Sequence, residues 1–220
     1  MDSNRVMELI QCKKLIVILR KVPMEKIADT ALALVRGGIE LVEVTFDQLE
    51  EDPVGTYKKS IQLIREAVND ALCLGAGTVL NVEQVEAAYE AGAEYIISPN
   101  TNNDVIKRTK ELNMISIPGA MTPTEIVYAW NCGADIVKLF PADDLGYHYI
   151  WNIRGPLPHI PLIVTGGVNP KTIPKFLSYG IRAVGTGVTV INREALSAND
   201  YDTIERLAKE HVKAIDNYIN

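Results

Sequence analysis

Eight short apolar runs rich in β-branched residues recur along the chain, at 15–19 (LIVIL), 41–45 (LVEVT), 71–76 (ALCLGA), 94–98 (EYIIS), 114–117 (MISI), 135–140 (DIVKLF), 161–165 (PLIVT) and 182–187 (RAVGTG). The segments between them carry helical spacing, as in Ile27, Ala31, Leu34 and Val35, or Val82, Val85 and Ala88. Strand and helix thus alternate from end to end, the pattern of a parallel α/β protein. Gly-Gly-Ile-Glu, Ala-Gly-Ala-Glu, Cys-Gly-Ala-Asp and Tyr-Gly-Ile-Arg lead into the second, fourth, sixth and eighth runs, so Gly38, Gly92, Gly133 and Gly180 mark a repeated helix end. Their spacing of about 40 to 55 residues fits a two-strand unit used four times. An open doubly wound sheet would carry a glycine-rich fingerprint after its first strand, and LIVILRKVP has none. The expected fold is therefore α/β, a (β/α)8 TIM barrel formed by residues 1–220 as one domain, with a short helix in MDSNRVMELIQC ahead of it.

Composition narrows the function classes. With 220 residues, 47% of them hydrophobic, the chain can bury one large core. Its 22 basic and 28 acidic residues give a net charge of −6 and no dense basic run, which argues against nucleic acid and anionic lipid as partners. Cys12, Cys73 and Cys132 lie far apart, and His148, His159 and His211 pair with no ligand at metal spacing. No stretch approaches the roughly 20 apolar residues of a membrane span. These features lead us to expect a soluble, unprocessed, cytoplasmic protein that works without metal or cofactor on a small molecule.

Strand alternation turns spacing into geometry. Leu41, Glu43 and Thr45 share one face of the second run, opposite Val42 and Val44; Ile136, Lys138 and Phe140 share one face of the sixth, opposite Val137 and Leu139. The wholly apolar faces suit the helices, so Glu43 and Lys138 are expected to point into the barrel. An inward lysine can be a structural ion pair or a stem reaching for the mouth, and an inward glutamate a hydrogen-bonded core carboxylate. Together they are also what Schiff-base chemistry requires: a desolvated amine becomes a neutral nucleophile towards a ketone, and a carboxylate carries the protons.

The carboxyl ends of the strands bring small and hydroxyl-bearing residues to one rim: Gly75-Ala76-Gly77-Thr78, Ser98-Pro99-Asn100 and Pro118-Gly119. Thr165-Gly166-Gly167 and Gly185-Thr186-Gly187 close the seventh and eighth runs, where barrel enzymes commonly cradle phosphate, although glycine pairs also serve as plain tight turns. Arg20 ends the first run on the face of Ile16 and Ile18; it could grip a carboxylate beside Glu43 and Thr78, or pair with Asp47 at the rim.

In order, Glu43-Val44-Thr45, Gly75-Ala76-Gly77-Thr78-Val79-Leu80, Ile97-Ser98-Pro99, Ile117-Pro118-Gly119, Lys138-Leu139-Phe140-Pro141-Ala142 and Thr165-Gly166-Gly167 make a series that resembles the bacterial 2-dehydro-3-deoxy-6-phosphogluconate (KDPG) / 4-hydroxy-2-oxoglutarate (KHG) aldolase family. The resemblance runs through nearly the whole chain. It implies a class I aldolase on a (β/α)8 barrel, commonly a homotrimer, that releases pyruvate and an aldehyde. By it, Lys138 matches the Schiff-base lysine, Glu43 the acid/base, Thr78 a hydroxyl on the substrate carboxylate, and Gly166 and Gly167 the phosphate turn, joined by Gly185, Thr186 and Gly187. Thr45, Asp47, Pro99, Phe140 and Thr165 would complete the pocket wall.

This chain departs from that family at two positions. The family arginine two residues after Glu-Val-Thr is Asp47 here, and its Gly-Gly-Ser at the eighth strand becomes Gly185-Thr186-Gly187, with Thr186 as a candidate replacement for the serine. The phosphogalactonate branch of the family carries arginine in an Ile-Leu-Arg motif after its first strand, and Ile18-Leu19-Arg20 matches it, which makes Arg20 the candidate carboxylate clamp. A metal-free phosphosugar epimerase, or a non-catalytic keto-acid or sugar-phosphate sensor, would use the same barrel.

Overall fold

The computed structural model describes residues 2–219; Met1 and Asn220, the outermost positions of the expected domain, lie outside the described residues. The strands are β1 (Leu15–Leu19), β2 (Leu41–Thr45), β3 (Cys73–Gly77), β4 (Tyr95–Ile97), β5 (Ile115–Ile117), β6 (Gly119–Ala120), β7 (Val137–Leu139), β8 (Leu162–Thr165) and β9 (Ala183–Thr186). All pair in parallel, in the order β5-β4-β3-β2-β1-β9-β8-β7-β6. The two ends of that order are separated in sequence by Pro118 alone, so the sheet curls back on itself as a (β/α)8 barrel. The fifth apolar run supplies two short strands because Pro118 has no N–H to give the ladder. Its carbonyl still accepts from Lys138 N at 2.8 Å.

The helices are α1 (Ser3–Lys13), ahead of the barrel, then α2 (Ile27–Arg36), α3 (Pro53–Val68), α4 (Val82–Glu90), α5 (Asn103–Glu111), α6 (Pro123–Asn131), α7 (Ala142–Arg154, kinked at Gly146), α8 (Ile173–Ser178), α9 (Arg193–Ser197) and α10 (Tyr201–Ile219). Gly38, Gly92, Gly133 and Gly180 have φ of 82°, 88°, 101° and 76°, the left-handed turns that the repeat anticipates at helix ends. Asp52, Asn81, Asn102 and Thr122 cap α3, α4, α5 and α6 with their side chains. No helix among the described residues is long and apolar enough to cross a membrane.

Two apolar layers follow from strand alternation. Val17, Val42, Val44, Leu74, Ile96, Val137, Leu139, Val164 and Val184 face the helices. Ile16, Leu41, Cys73, Tyr95, Ile97, Ile115, Ile117, Ile136, Ile163 and Ala183 fill the barrel, and Val6 and Ile10 of α1 close its amino-terminal end against them.

Candidate active site

One step of alternation above the apolar filling, the same strands turn polar. Glu43 (1% exposed) follows Leu41 on β2, and Lys138 (6% exposed) follows Ile136 on β7. Both face inward, as spacing anticipated. Gly77, in register with Thr45, is where Glu43 finds room: a Cβ there would strike the Glu43 carboxylate. Gly75 makes the same allowance for the Tyr95 ring. Glu43 Oε2 has no hydrogen-bond partner among the described residues, and Lys138 Nζ lies 5.0 Å from the centre of the Phe140 ring.

Burial governs both charges. It pushes the Glu43 carboxyl above its ordinary range, against the opposing pull of Lys138 and Arg20. It pushes the Lys138 amine down; Glu43 opposes that shift and Arg20 adds to it. Each group is thus moved towards its neutral form, the state in which an amine attacks a carbonyl and a carboxylic acid donates a proton.

Arg20 and Thr78 meet beside this pair. Arg20 Nη2 donates to Thr78 Oγ1 at 3.0 Å. Thr78 holds φ at 58° and Lys21, next to Arg20, at 54°. A β-branched residue in the left-handed region costs about 1–2 kcal/mol, and such strain gathers where side-chain direction matters to function. Gln48 Nε2 secures the turn by donating to Thr78 O at 3.0 Å.

Two expected members of the wall stand elsewhere. Thr45 Oγ1 donates to Leu19 O at 3.2 Å and takes no part in lining the cleft. Asp47 is drawn aside by its own backbone, its Oδ1 accepting from Leu49 N at 3.1 Å, and it pairs with Lys21 Nζ at 3.3 Å rather than with Arg20. The Leu49 hydrogen bond and the nearby Lys21 and Arg20 hold its carboxyl below the usual range.

Across the cleft, Gly166 and Gly167 turn with φ of 100° and 66°, and Asp143 packs so closely on both that no side chain would fit at either. The backbone N–H groups of Gly167, Val168, Gly187 and Val188 donate to no protein acceptor among the described residues, which leaves them for an anion. Thr186 corrects the expectation placed on it. It shares its strand face with Val184, so its hydroxyl points to the helices and reaches Val168 O at 3.2 Å; it is no stand-in for a serine facing the cleft. Thr165, on the inner face with Ile163, is 5% exposed, and its Oγ1 has no partner among the described residues.

Arg20, Glu43, Thr78, Pro99, Lys138, Phe140, Thr165, Gly166, Gly167, Gly185, Thr186 and Gly187 all border one cleft of about 1110 Å³. Sequence reasoning missed other residues on its wall: Lys21, Lys26, Asp143, Thr189 and Arg193. Their only signal was position in the loops and first helical turns that follow strands, the usual source of a barrel's site. Lys26 Nζ bridges to the end of α9 through Leu196 O (2.8 Å) and Ser197 O (3.1 Å), a contact between residues far apart in sequence that no local pattern encodes.

The chain matches the family model of the KDPG and KHG aldolases over residues 6–207. It is 32% identical over 174 residues to the 2-dehydro-3-deoxy-6-phosphogalactonate aldolase of Escherichia coli strain K12, covering 79% of this chain and 82% of that one. Identity is also 32% over 200 residues to the KHG/KDPG aldolase of the same strain, covering 90% and 89%. The crystal structure of the KDPG aldolase from Legionella pneumophila, with pyruvate captured at low pH as a covalent carbinolamine intermediate, is similar with a TM-score of 0.80 at 26% identity, over 91% of this chain and 95% of that one.

Proposed function

This chain belongs to the KDPG and KHG aldolase family and is thus a carbon–carbon lyase, and from that premise we propose that it works through a Schiff base on Lys138. Its substrate is a 2-keto-3-deoxy-6-phosphosugar acid, or 4-hydroxy-2-oxoglutarate, and its products are pyruvate and the matching aldehyde, glyceraldehyde 3-phosphate or glyoxylate. The observation that carries the reading is the buried amine of Lys138, shifted towards neutrality with Glu43 beside it. The carbinolamine of the Legionella relative supports it, since that adduct is an amine added to the pyruvate ketone.

The neutral Nζ attacks C2, and protonated Glu43 gives its proton to the carbinolamine hydroxyl, which leaves as water to yield a cationic imine and the Glu43 carboxylate. Glu43 takes the proton of the C4 hydroxyl as the C3–C4 bond breaks, and the bonding pair moves into the imine to give an enamine. The aldehyde departs. Glu43 then returns a proton to C3, and water releases pyruvate, regenerates the neutral amine and gives its surplus proton back to the Glu43 carboxylate. Arg20 and Thr78 hold the carboxylate, which would otherwise lose its hydration without a partner. Across the Gly166-Gly167 turn and at Gly187, the free N–H groups of Gly167, Val168, Gly187 and Val188 offer backbone donors to the phosphate, and Thr165 offers its unpartnered hydroxyl to the sugar chain. Equal identity to relatives named for the galactonate-derived and gluconate-derived acids leaves both C4 epimers as substrates to assay. The protein is proposed to assemble as a homotrimer in the cytoplasm, and sedimentation at equilibrium would test the assembly.

The deciding experiment is borohydride reduction in the presence of pyruvate, followed by peptide mass mapping. A three-carbon adduct on the Lys138 peptide is expected. Turnover without any trapped adduct would favour imine-free chemistry such as an epimerase, and an adduct on another lysine would defeat the assignment.

A further inference from the structure

The last helix is tied to both glycine turns by one imidazole and two hydroxyls. His211 of α10 is 1% exposed, and its Nδ1 donates to the Leu207 carbonyl at 2.7 Å. A carbonyl only accepts, so the ring hydrogen sits on Nδ1, and Nε2 of the neutral ring accepts from Thr189 Oγ1 at 2.9 Å. Burial lowers the His211 pKa against the opposing pull of the Leu207 carbonyl and Glu210, which favours this neutral state. Thr189 Oγ1 in turn lies 2.6 Å from Thr186 Oγ1. Thr189 has given its one hydrogen to Nε2, so the hydrogen for the Val168 carbonyl, 3.2 Å away, and for the Thr189 oxygen comes from Thr186, while Thr189 Oγ1 lies 3.0 Å from the same carbonyl.

Val168 follows the Gly166-Gly167 turn, and Thr186 precedes Gly187, so this chain of contacts spans the two halves of the anion cradle. The first half is braced from the other side as well: Thr172 Oγ1 donates to Gly167 O at 2.9 Å and accepts from Asn169 N at 2.9 Å. Because a trans peptide is planar, fixing the Gly167 carbonyl also fixes the opposed Val168 N–H. A cradle made of backbone dipoles owes its affinity to alignment, since no single donor in it carries a full charge.

We infer that His211 is a positioning residue for the substrate's phosphate, acting through Thr189 to hold the turn at Gly166-Gly167 and the turn at Gly187 at one spacing. The inference rests on the proposed reading of those turns as the phosphate seat.

The test is a calorimetric titration of the full chain with inorganic phosphate, run beside the borohydride trap with pyruvate. His211→Leu, which keeps bulk and removes the acceptor, is expected to weaken phosphate binding by about tenfold, the scale of one lost hydrogen bond. His211→Gln, whose Oε1 can take the Thr189 proton, should recover most of it, and both variants should trap pyruvate at the wild-type rate. If His211→Leu fails to fold, His211→Phe, which keeps a ring and removes the acceptor, carries the same expectation. Unchanged phosphate affinity in the variant tested overturns the inference. So does a wild type that binds no phosphate, or a variant that loses trapping as much as phosphate, the mark of a general structural role. A wild type that traps no pyruvate while the phosphate results come out as expected overturns the Schiff-base reading and leaves the positioning role standing.

Discussion

The barrel interior consists of two layers built by the same strands, and two residues separate them. Leu41 gives way to Glu43, Ile136 to Lys138, Ile163 to Thr165 and Ala183 to Gly185, so an apolar plug becomes a charged, partly hollow chamber one pleat higher. The lower residues fill space, and the Tyr95 hydroxyl is buried among them without a partner among the described residues. The upper layer holds Glu43 Oε2 and Thr165 Oγ1 without protein partners. Buried polar groups left in that state cost free energy, so the upper layer is maintained at the expense of stability, and the lower layer offsets that cost.

The widest gap between the layers should appear at Lys138. Lys138→Arg is expected to remain folded and to lose turnover by about a thousandfold or more, because a guanidinium stays protonated and forms no imine. The double variant Glu43→Leu/Lys138→Met should be equally inactive yet at least as stable as wild type in urea unfolding, since apolar replacements remove two buried titratable groups whose burial costs free energy. Ile136→Ala, in the layer beneath, should do the reverse: a stability loss of about 2–5 kcal/mol with turnover per folded molecule retained. A catalytic loss in Ile136→Ala that exceeded its unfolded fraction would erase the division of labour.

Glu43→Gln should lower kcat by about a hundredfold or more, the usual scale of a positioned acid/base, with a smaller effect on substrate binding. Arg20→Ala should weaken keto-acid binding by about 1.5–3 kcal/mol, the range for a hydrogen bond to a charged group. Wild-type affinity there would remove Arg20 from the carboxylate site. The smallest effects are on the pH profile of pyruvate trapping. Its rise should have a midpoint below the ordinary lysine value of 10.5, since burial favours the neutral amine. Glu43→Gln removes a charge that raises the Lys138 pKa and should move the midpoint lower still; Arg20→Ala removes one that lowers it and should move the midpoint up. Shifts in the opposite sense would refute this account of the pair's electrostatics.

Much of the upper layer was legible in the sequence because a strand has a period of two. That rule alone brings Glu43 and Lys138 inside once the apolar faces are assigned to the helices. Thr186 is the instructive miss: reading Gly185-Thr186-Gly187 as one loop ignored the alternation that places Thr186 beside Val184, facing outward. Asp47 went astray for another reason, because a hydrogen bond to Leu49 N and an ion pair with Lys21 decide its direction, and neither has a periodic signature. Lys26 and His211 lie outside such reasoning altogether. Their partners come from distant parts of the chain and meet only when the barrel closes.

The stopper formed by α1 has a kinetic corollary. With Val6 and Ile10 fully buried against the interior, α1 closes the amino-terminal end of the barrel, opposite the cleft. On the proposed chemistry, the covalent bond to Lys138 keeps the three-carbon fragment at the inner end of the chamber while the aldehyde lies nearer the exit. Departure then follows a queue: aldehyde first, pyruvate last. In the condensation direction pyruvate must be seated before its partner arrives. Pyruvate should therefore inhibit cleavage competitively against the keto acid and the aldehyde should not, a compulsory order set by the covalent bond to Lys138 in a chamber that α1 closes from below.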